Sequence, residues 1–158
     1  MEISDKKGLK PGYLPHFFVE PSPAPTSGTF RVAFSIRCTD KAKVSCALRD
    51  YNPKAKNGSG VAMGPHVDFV GGKASAGDKE AMTLAPGTWC DCELVCRFTP
   101  GGRIVADARF TDENGRTAEV KNVPYADSAF GKVSWIGFTS DADEDCTWWL
   151  DDFSCVRE

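Results

Sequence analysis

Two pairs of carboxylates are candidates for acid–base chemistry because of their residue type and their closeness in sequence. Asp151 and Asp152 are adjacent in TWWLDDFSC, and Asp91 and Glu93 are two residues apart in WCDCELVCRF. Glycoside hydrolysis needs two carboxyl groups, at least about 5 Å apart, that flank one bond. Successive side chains of a strand point to opposite faces, so Asp151 and Asp152 cannot flank one bond together. Asp91 and Glu93 share a face, although charged groups on the outer face of a sheet are more often simply solvated.

Alternating patterns predict the elements that position these side chains. In TFRVAFSIRC, every second residue from Phe30 to Ile36 is apolar and the residues between are polar or small, which is typical of a half-buried strand. Further short strands follow about every dozen residues, with turns such as PGGR between them, and no segment keeps a helical period. We therefore predict an all-β fold, an antiparallel β-sandwich, in a single domain spanning residues 1–158 with an extended lead-in over 1–15.

Composition and charge exclude several classes of protein. At 158 residues, with 41% apolar and 26% charged residues, the chain has the balance of one globular domain. A formal net charge of -3 without a basic cluster argues against nucleic acid and anionic membranes as partners. No apolar run reaches the roughly 20 residues that span a bilayer, and MEISDKKGLK lacks the apolar core of a signal peptide. Asn57-Gly58-Ser59 matches a glycosylation acceptor, a motif too short for us to attach a function to it.

The seven cysteines show no metal-binding pattern. They include no Cys-x-x-Cys pair and have no His nearby in sequence, which argues against zinc. Those of WCDCELVCRF share one face of a strand and are expected to pack in the core. We expect reduced, buried thiols, and the alternative is a disulfide such as Cys146–Cys155. The full set is Cys38, Cys46, Cys90, Cys92, Cys96, Cys146 and Cys155.

Several stretches, taken in order, resemble the concanavalin A-like lectin and glucanase jelly roll. They are FRVAFSIRC, SCALRDYN, GPHVDFVGG, LAPGTWCDCELVCRF, GGRIVADARFTDENG, AFGKVSWIGFTS and WWLDDFSC, which cover most of the chain from residue 16 onward. The likeness is greatest to laminin G-like and carbohydrate-binding modules appended to bacterial polysaccharide-degrading enzymes. There Gly-x-Trp opens a central strand, as Gly87-Thr88-Trp89 does here, and the final strand resembles residues 149–153. The galactose-binding-like jelly roll is the alternative architecture.

The resemblance implies a noncatalytic, lectin-like carbohydrate-binding module that recognises a polysaccharide or glycan. It also implies a secreted or cell-surface location and, as a partner, a catalytic domain of the same parent protein. Glucanases of this fold carry Glu-x-Asp-x-Glu or Glu-x-Asp-x-x-Glu on one strand, and this chain has no Glu-x-Asp, so we expect it not to be an enzyme. The alternatives are a structural or protein-interaction sandwich, a glycosidase using Asp91 and Glu93, and a polysaccharide lyase using His66 as base with a nearby Tyr and Arg.

A sugar-binding surface needs exposed aromatic rings, on which the apolar CH faces of the sugar pack. It also needs polar groups beside those rings that bind the hydroxyls of the sugar. Residues predicted to face away from the core supply such groups. Trp148 and Trp149 must point to opposite sides of their strand, so one of them is expected outside. The predicted ligand-binding residues are Arg37, Arg49, Tyr51, His66, Asp68, Trp135 and Trp148.

Jelly rolls of the kind that this chain resembles often hold one calcium ion where the first and last strands meet. Calcium takes about 6 to 8 oxygen ligands from carboxylates and carbonyls. The resemblance therefore implies a structural calcium bound by Glu20, Asp151 and Asp152. The alternative is that one Asp caps backbone donors and the other faces water. The acidic loop DADED lacks the spacing of an EF-hand and is interpreted as a solvated turn.

Overall fold

The computed structural model describes residues 1–56, 58–100, 103–125 and 127–158. Gly101 and Gly102 of the predicted PGGR turn and Asn57 of the acceptor tripeptide lie outside the described residues. Within the described ranges, no helix is long and apolar enough to cross a membrane. These ranges form twelve strands: β1 (Glu2–Asp5), β2 (His16–Val19), β3 (Gly28–Cys38), β4 (Lys43–Tyr51), β5 (Val61–Val70), β6 (Lys73–Ala76), β7 (Lys79–Thr83), β8 (Trp89–Phe98), β9 (Ile104–Asp112), β10 (Thr117–Val120), β11 (Trp135–Ser140) and β12 (Cys146–Arg157).

The strands form two six-stranded antiparallel sheets that pack against each other. We call the sheet with the order β2-β11-β4-β5-β6-β7 the front sheet, and the sheet with the order β1-β12-β3-β8-β9-β10 the back sheet. One hydrophobic core lies between them. The prediction of an antiparallel β-sandwich is confirmed. Residues 1–15, expected as an extended lead-in, contribute β1, which pairs with β12 at the edge of the back sheet.

The back sheet shows how the apolar pattern forms these strands. Along β3, Phe30, Val32, Phe34 and Ile36 are buried, and the residues between them remain partly exposed. β8 pairs with β3 and buries its three cysteines and Leu94 toward the same core. Burying an apolar side chain of this size contributes roughly 1.5–3 kcal/mol. A slip of one residue would turn the whole set to solvent, so the pattern fixes the register.

Aromatic rings join the two sheets at the centre of the core. Trp148 of β12 is fully buried and stacks on Phe17 of β2 and Phe138 of β11, with centroid distances of 5.9 and 6.2 Å. Phe34 of β3 meets Phe138 edge to face at 4.9 Å. Such pairs contribute about 0.5–1.5 kcal/mol beyond their burial. The first and last segments of the chain therefore help to hold the sandwich together.

All seven cysteines are free thiols. Cys155 is exposed, and the other six are buried or partly buried. Cys146 and Cys155 both lie on β12, and a strand advances roughly 3.3 Å per residue, which separates them far beyond the Cα distance of about 7 Å that a disulfide allows. This pair cannot form the disulfide that was the alternative.

One irregularity decides which residues of β5 face outward. In the pairing of β4 with β5, Ala47 opposes His66 and Arg49 opposes Met63, so β5 has one extra residue between these two positions. The extra residue falls at Gly64-Pro65, where Pro has no N–H to donate to the ladder. This bulge places His66 on the same outer face as Arg49.

Candidate functional site

The structure brings five of the seven predicted ligand-binding residues to the outer face of the front sheet. Arg49 and Tyr51 lie on β4, His66 and Asp68 on β5, and Trp135 on β11. We call these five residues the front-face cluster. Trp135 is the direct pairing partner of Arg49. Tyr51 is two residues further along β4, and His66 lies diagonally across on β5, which by strand geometry puts each of them roughly 7 Å from Arg49.

The other two predicted residues lie elsewhere. Arg37 of β3 faces outward from the back sheet, on the opposite side of the sandwich. Trp148 shares its strand face with the buried Cys146 and Leu150, so its indole points into the core and has no surface for a ligand. This corrects the expectation for Trp148, because Trp149 is the member of the pair that lies outside.

Trp135 is covered instead of forming an open platform. The guanidinium carbon of Arg49 lies 4.0 Å from the centroid of the indole, and the ring of Phe18 stacks on it at 5.7 Å. Only 5% of Trp135 is exposed, whereas 49% of Phe18 is exposed. A ligand on this face would therefore meet Phe18 and the edge of Arg49, with Trp135 supporting both from below.

A glycine makes room for the Trp135 ring. Gly137 is two residues further along β11, so it lies on the same outer face. A Cβ at Gly137 would overlap Cη2 and Cζ2 of Trp135, and would lie 2.9 Å from the carbonyl oxygen of Phe17. The indole thus lies over Gly137, which has no side chain. The position of the indole in turn determines how far from the sheet Arg49 packs.

A buried carboxylate holds the end of β4 that carries Arg49 and Tyr51. Asp50, between them, points inward and is 1% exposed. It accepts hydrogen bonds from the backbone N–H of Gly131 and from Oγ of Ser134, each at 3.1 Å. These bonds tie β4 to the segment that leads into β11. The two outward side chains on either side of Asp50 therefore have a fixed backbone.

Arg49 has a positive charge that no neighbouring carboxylate neutralises. It makes no ion pair with a described residue, and its Nε is buried without a hydrogen-bond partner. Burial lowers the pKa of Arg49, because the low-dielectric surroundings disfavour the charged form. A guanidinium remains protonated at neutral pH even so. The face therefore offers unused N–H donors to an anion.

His66 and Asp68 form a second polar unit of the cluster. Nε2 of His66 lies 3.4 Å from Oδ2 of Asp68. Burial raises the pKa of Asp68, whereas a hydrogen bond with Ser45 and the nearby His66 act in the opposite direction. A carboxylate beside one ring nitrogen orients the imidazole and leaves the other nitrogen to act on a ligand.

Tyr51 is the exposed hydroxyl donor of the cluster. Its side chain is 46% exposed, and its hydroxyl donates to Oε1 of Glu20 at 2.7 Å. This hydrogen bond raises the pKa of Tyr51, with smaller contributions from burial and from the charge of Glu20. The phenol is therefore protonated at neutral pH and has a proton to give.

Sequence reasoning missed an aromatic ridge beside the cluster, formed by Tyr13, His16 and Phe18. His16 stacks on Phe18 at 5.9 Å, and Tyr13 meets His16 edge to face at 5.3 Å. These rings reach the site because β2 pairs with β11, with Phe18 opposite Gly137. The pairing is non-local, so the sequence of the segment carries no signal for it beyond its run of aromatic residues.

The predicted calcium ligands do not meet. Glu20 accepts the hydrogen bond from Tyr51 at the front sheet, whereas Asp151 and Asp152 lie on β12 of the back sheet. Oδ1 of Asp151 accepts a hydrogen bond from the backbone N–H of Asp152 at 3.0 Å. The residues that the structure describes contain no group of three His, Cys, Asp or Glu side chains that could hold a metal ion.

The carboxylate pair Asp91 and Glu93 lies on the outer face of the back sheet. Asp91 accepts a hydrogen bond from Oγ of Ser35 at 2.6 Å, and Glu93 pairs with Arg31. Both line an open depression of about 390 Å³ that also includes Asp152. Each carboxylate is thus already bound to a neighbouring side chain, as is common for charged groups on the solvated outer face of a sheet.

Neither a protein-family model nor a curated protein matches the sequence. Solved structures do match the fold. An endo-β-1,4-glucuronan lyase from the fungus Trichoderma reesei aligns with 99% of this chain and 80% of its own, with a TM-score of 0.68 and 10% identity. A marine PL-14 alginate lyase from Aplysia kurodai aligns with 99% of this chain and 82% of its own, with a TM-score of 0.66 and 9% identity. Scytalido-glutamic peptidase, bound to a transition-state analogue inhibitor, aligns with 89% and 78%, with a TM-score of 0.52 and 11% identity.

These matches confirm the lectin- and glucanase-like jelly roll that the sequence resembles. They also correct two expectations. The expectation of a noncatalytic binding module is wrong, and so is the expectation that the chain is not an enzyme, because nearly the whole chain matches polysaccharide lyases. At such low identity the likeness shows the fold alone, and a peptidase shares that fold. The reaction must therefore be argued from the side chains.

Proposed function

We propose that this protein is a polysaccharide lyase that cleaves an acidic, uronate-containing polysaccharide by β-elimination at the front-face cluster. The observation that carries the proposal is Arg49, a half-buried guanidinium without a carboxylate partner, placed beside a histidine and a protonated tyrosine. A uronate carboxylate matches the planar fork of N–H donors that this arginine presents.

The elimination proceeds in one sugar unit. A base removes the proton from C5, the electron pair of that C–H bond forms a C4–C5 double bond, and the C4–O bond to the next sugar breaks. An acid gives a proton to the departing oxygen, so no water is consumed and the atoms balance. Arg49 binds the carboxylate on C5 and offsets the negative charge that moves onto it as the proton leaves.

His66 and Tyr51 take the two proton-transfer roles. His66, oriented by Asp68, is the base for the C5 proton. Tyr51 is the acid, because its hydrogen bond to Glu20 and its raised pKa keep the phenol protonated. Phe18 supplies an exposed ring on which an adjoining sugar stacks.

The comparisons support this choice of substrate class. The two polysaccharide lyases with TM-scores of 0.68 and 0.66 act on glucuronan and alginate, which are polymers of uronic acids. Such polymers are extracellular, so the proposal includes secretion. The partner is the polysaccharide itself, and the mechanism requires no appended catalytic domain.

The test is the ultraviolet absorbance of the unsaturated uronate formed on glucuronan and alginate, with a neutral glucan as the substrate control. We expect Arg49→Gln to lower kcat/KM about 10²–10³-fold, as for the loss of one preorganised charge contact. His66→Gln and Tyr51→Phe should each lower kcat by about 10²–10⁴-fold. Arg109→Gln changes an exposed arginine of the back sheet and should leave activity unchanged. No unsaturated product from either polymer, or equal losses in the Arg49 and Arg109 variants, would overturn the proposal.

A further inference from the structure

Three side chains form a row across the outer face of the back sheet. Trp149 of β12, Arg37 of β3 and Trp89 of β8 are direct neighbours, since Arg37 pairs with both tryptophans. The guanidinium carbon of Arg37 lies 4.0 Å from the centroid of Trp149 and 5.2 Å from that of Trp89. We call this row the back-face ladder. It lies on the opposite side of the sandwich from the front-face cluster.

The guanidinium of Arg37 is not neutralised by the acidic groups at either end of the ladder. Glu2 accepts the indole N–H of Trp149 at 2.8 Å, and Glu113 accepts the backbone N–H of Trp89 at 3.3 Å. Arg37 itself makes no ion pair or hydrogen bond with a described residue, and its Nε is buried without a partner. Both nearby carboxylates are therefore bound to the tryptophans.

Two other arginines of the same face are neutralised by carboxylates. Arg31 pairs with Glu93, and Arg97 pairs with Asp107. The guanidinium of Arg37 lies over both indole rings, and of its three nitrogens only Nε is buried without a partner, so the edge formed by the two terminal nitrogens keeps its N–H donors for a ligand. The edge is the part that a carboxylate or sulfate binds through two parallel hydrogen bonds. An arginine held rigidly in this way loses little freedom when it binds such a group.

We propose that the back-face ladder is a second binding site, which takes an acidic sugar unit of a polysaccharide. The anionic group of the sugar accepts hydrogen bonds from the Arg37 edge, and the partly exposed tryptophans contact the apolar CH groups of the ring. That the bound chain is the substrate of the front-face cluster rests on the proposed function, whereas binding of an acidic glycan to the ladder does not. Two sites on opposite faces would let one long polymer, or two chains, be held while the front face acts.

Affinity electrophoresis in gels containing glucuronan or alginate tests the site. An Arg49→Gln background removes the front-face contact, so retardation that remains reports the back face. In that background, adding Arg37→Gln should weaken binding about 10–100-fold, as expected for a lost charge-assisted pair. Arg37→Lys keeps the charge without the fork and should also weaken binding, while Arg109→Gln should not. A neutral glucan gel should retard none of the variants.

The outcomes separate this site from the proposed function. If the Arg37 variants lower the melting temperature but bind as the background does, the ladder is packing only and the inference is wrong. Equal retardation of all variants in the acidic gels would also overturn it. If no lyase product forms but Arg37 still controls retardation, the proposed function fails and the site stands. With an active enzyme, Arg37→Gln should raise KM for the long polymer and leave the kinetics on a short oligosaccharide unchanged, because a short chain cannot reach both faces.

Discussion

Replacing Gly137 with Ala should disturb the front-face cluster although Gly137 is not one of its five residues. The new Cβ would overlap the Trp135 indole, which would have to move by roughly 1 Å to reach an ordinary contact distance. Arg49 packs on that indole at 4.0 Å and would move with it. The carbonyl of Phe17, 2.9 Å from the new Cβ, prevents the strand from relaxing in the other direction.

Both stability and activity should respond, by different amounts. Overpacking of this kind lowers the free energy of unfolding by about 1–3 kcal/mol. A displacement of about 1 Å at a catalytic group can cost about 10²-fold in rate. We therefore expect Gly137→Ala to unfold at lower urea concentration and to lose activity well beyond its unfolded fraction. The measurements are urea titrations and kcat/KM on the acidic polymer.

A double-mutant cycle identifies the cause. In a Trp135→Leu background the overlap with the indole is gone, so the stability cost of Gly137→Ala should fall by about 1 kcal/mol or more. Gly12→Ala is the matched control, since a Cβ there meets no atom within 4 Å and its φ is not in the left-handed region. An equal cost of Gly137→Ala in both backgrounds would refute the role that we assign to Trp135.

Three further predictions concern other parts of the molecule. A thiol reagent at neutral pH should label Cys155 alone in the native protein and all seven thiols after unfolding, because burial raises the pKa of the other six; labelling of two or more native thiols would contradict this. Burial raises the pKa of Asp107, but the N–H of Asn122 and the ion pair with Arg97 lower it more, so its stabilising effect is present at neutral pH and is lost as the pH falls through about 4 toward the folded-state value. Asp107→Asn should therefore lower the urea midpoint at pH 7 and match the parent in acid, and a difference that is constant with pH would count against it. Trp148→Phe should lower the free energy of unfolding by roughly 1–3 kcal/mol and leave KM for the polymer unchanged, and a raised KM at unchanged stability would place Trp148 at a binding surface after all.

The alternating strands are the part of the fold that follows from local sequence. Every second residue of β3 from Phe30 to Ile36 is apolar, and each of these is buried in the structure. The same parity puts Arg49 and Tyr51 of β4 outside together, because residues two apart share a face. The alternation of side chains thus suffices to predict which residues of a single strand lie on the same face.

Parity does not say which face of a strand is the inner one when both faces carry large residues. Trp148 and Trp149 differ only in which neighbours share their face of the strand. Trp148 is the inner one because it shares its face with Cys146 and Leu150, which are buried. Nor does parity show pairing between distant strands. Phe18 reaches Trp135 only because β2 joins β11, which brings together segments more than a hundred residues apart.

The bulge at Gly64-Pro65 has a consequence for how this sheet tolerates changes in length. Met63 and His66 both face outward although they are three residues apart, because the bulge takes up one residue between them. Deleting that residue would leave ordinary alternation, with both side chains still on the outer face opposite the same residues of β4. A strand that kept its length and lost the bulge would instead turn over its second half, with His66 and Asp68 inward and Val67 and Phe69 outward. β5 can therefore lose its extra residue without exchanging its faces, but it cannot straighten at its present length.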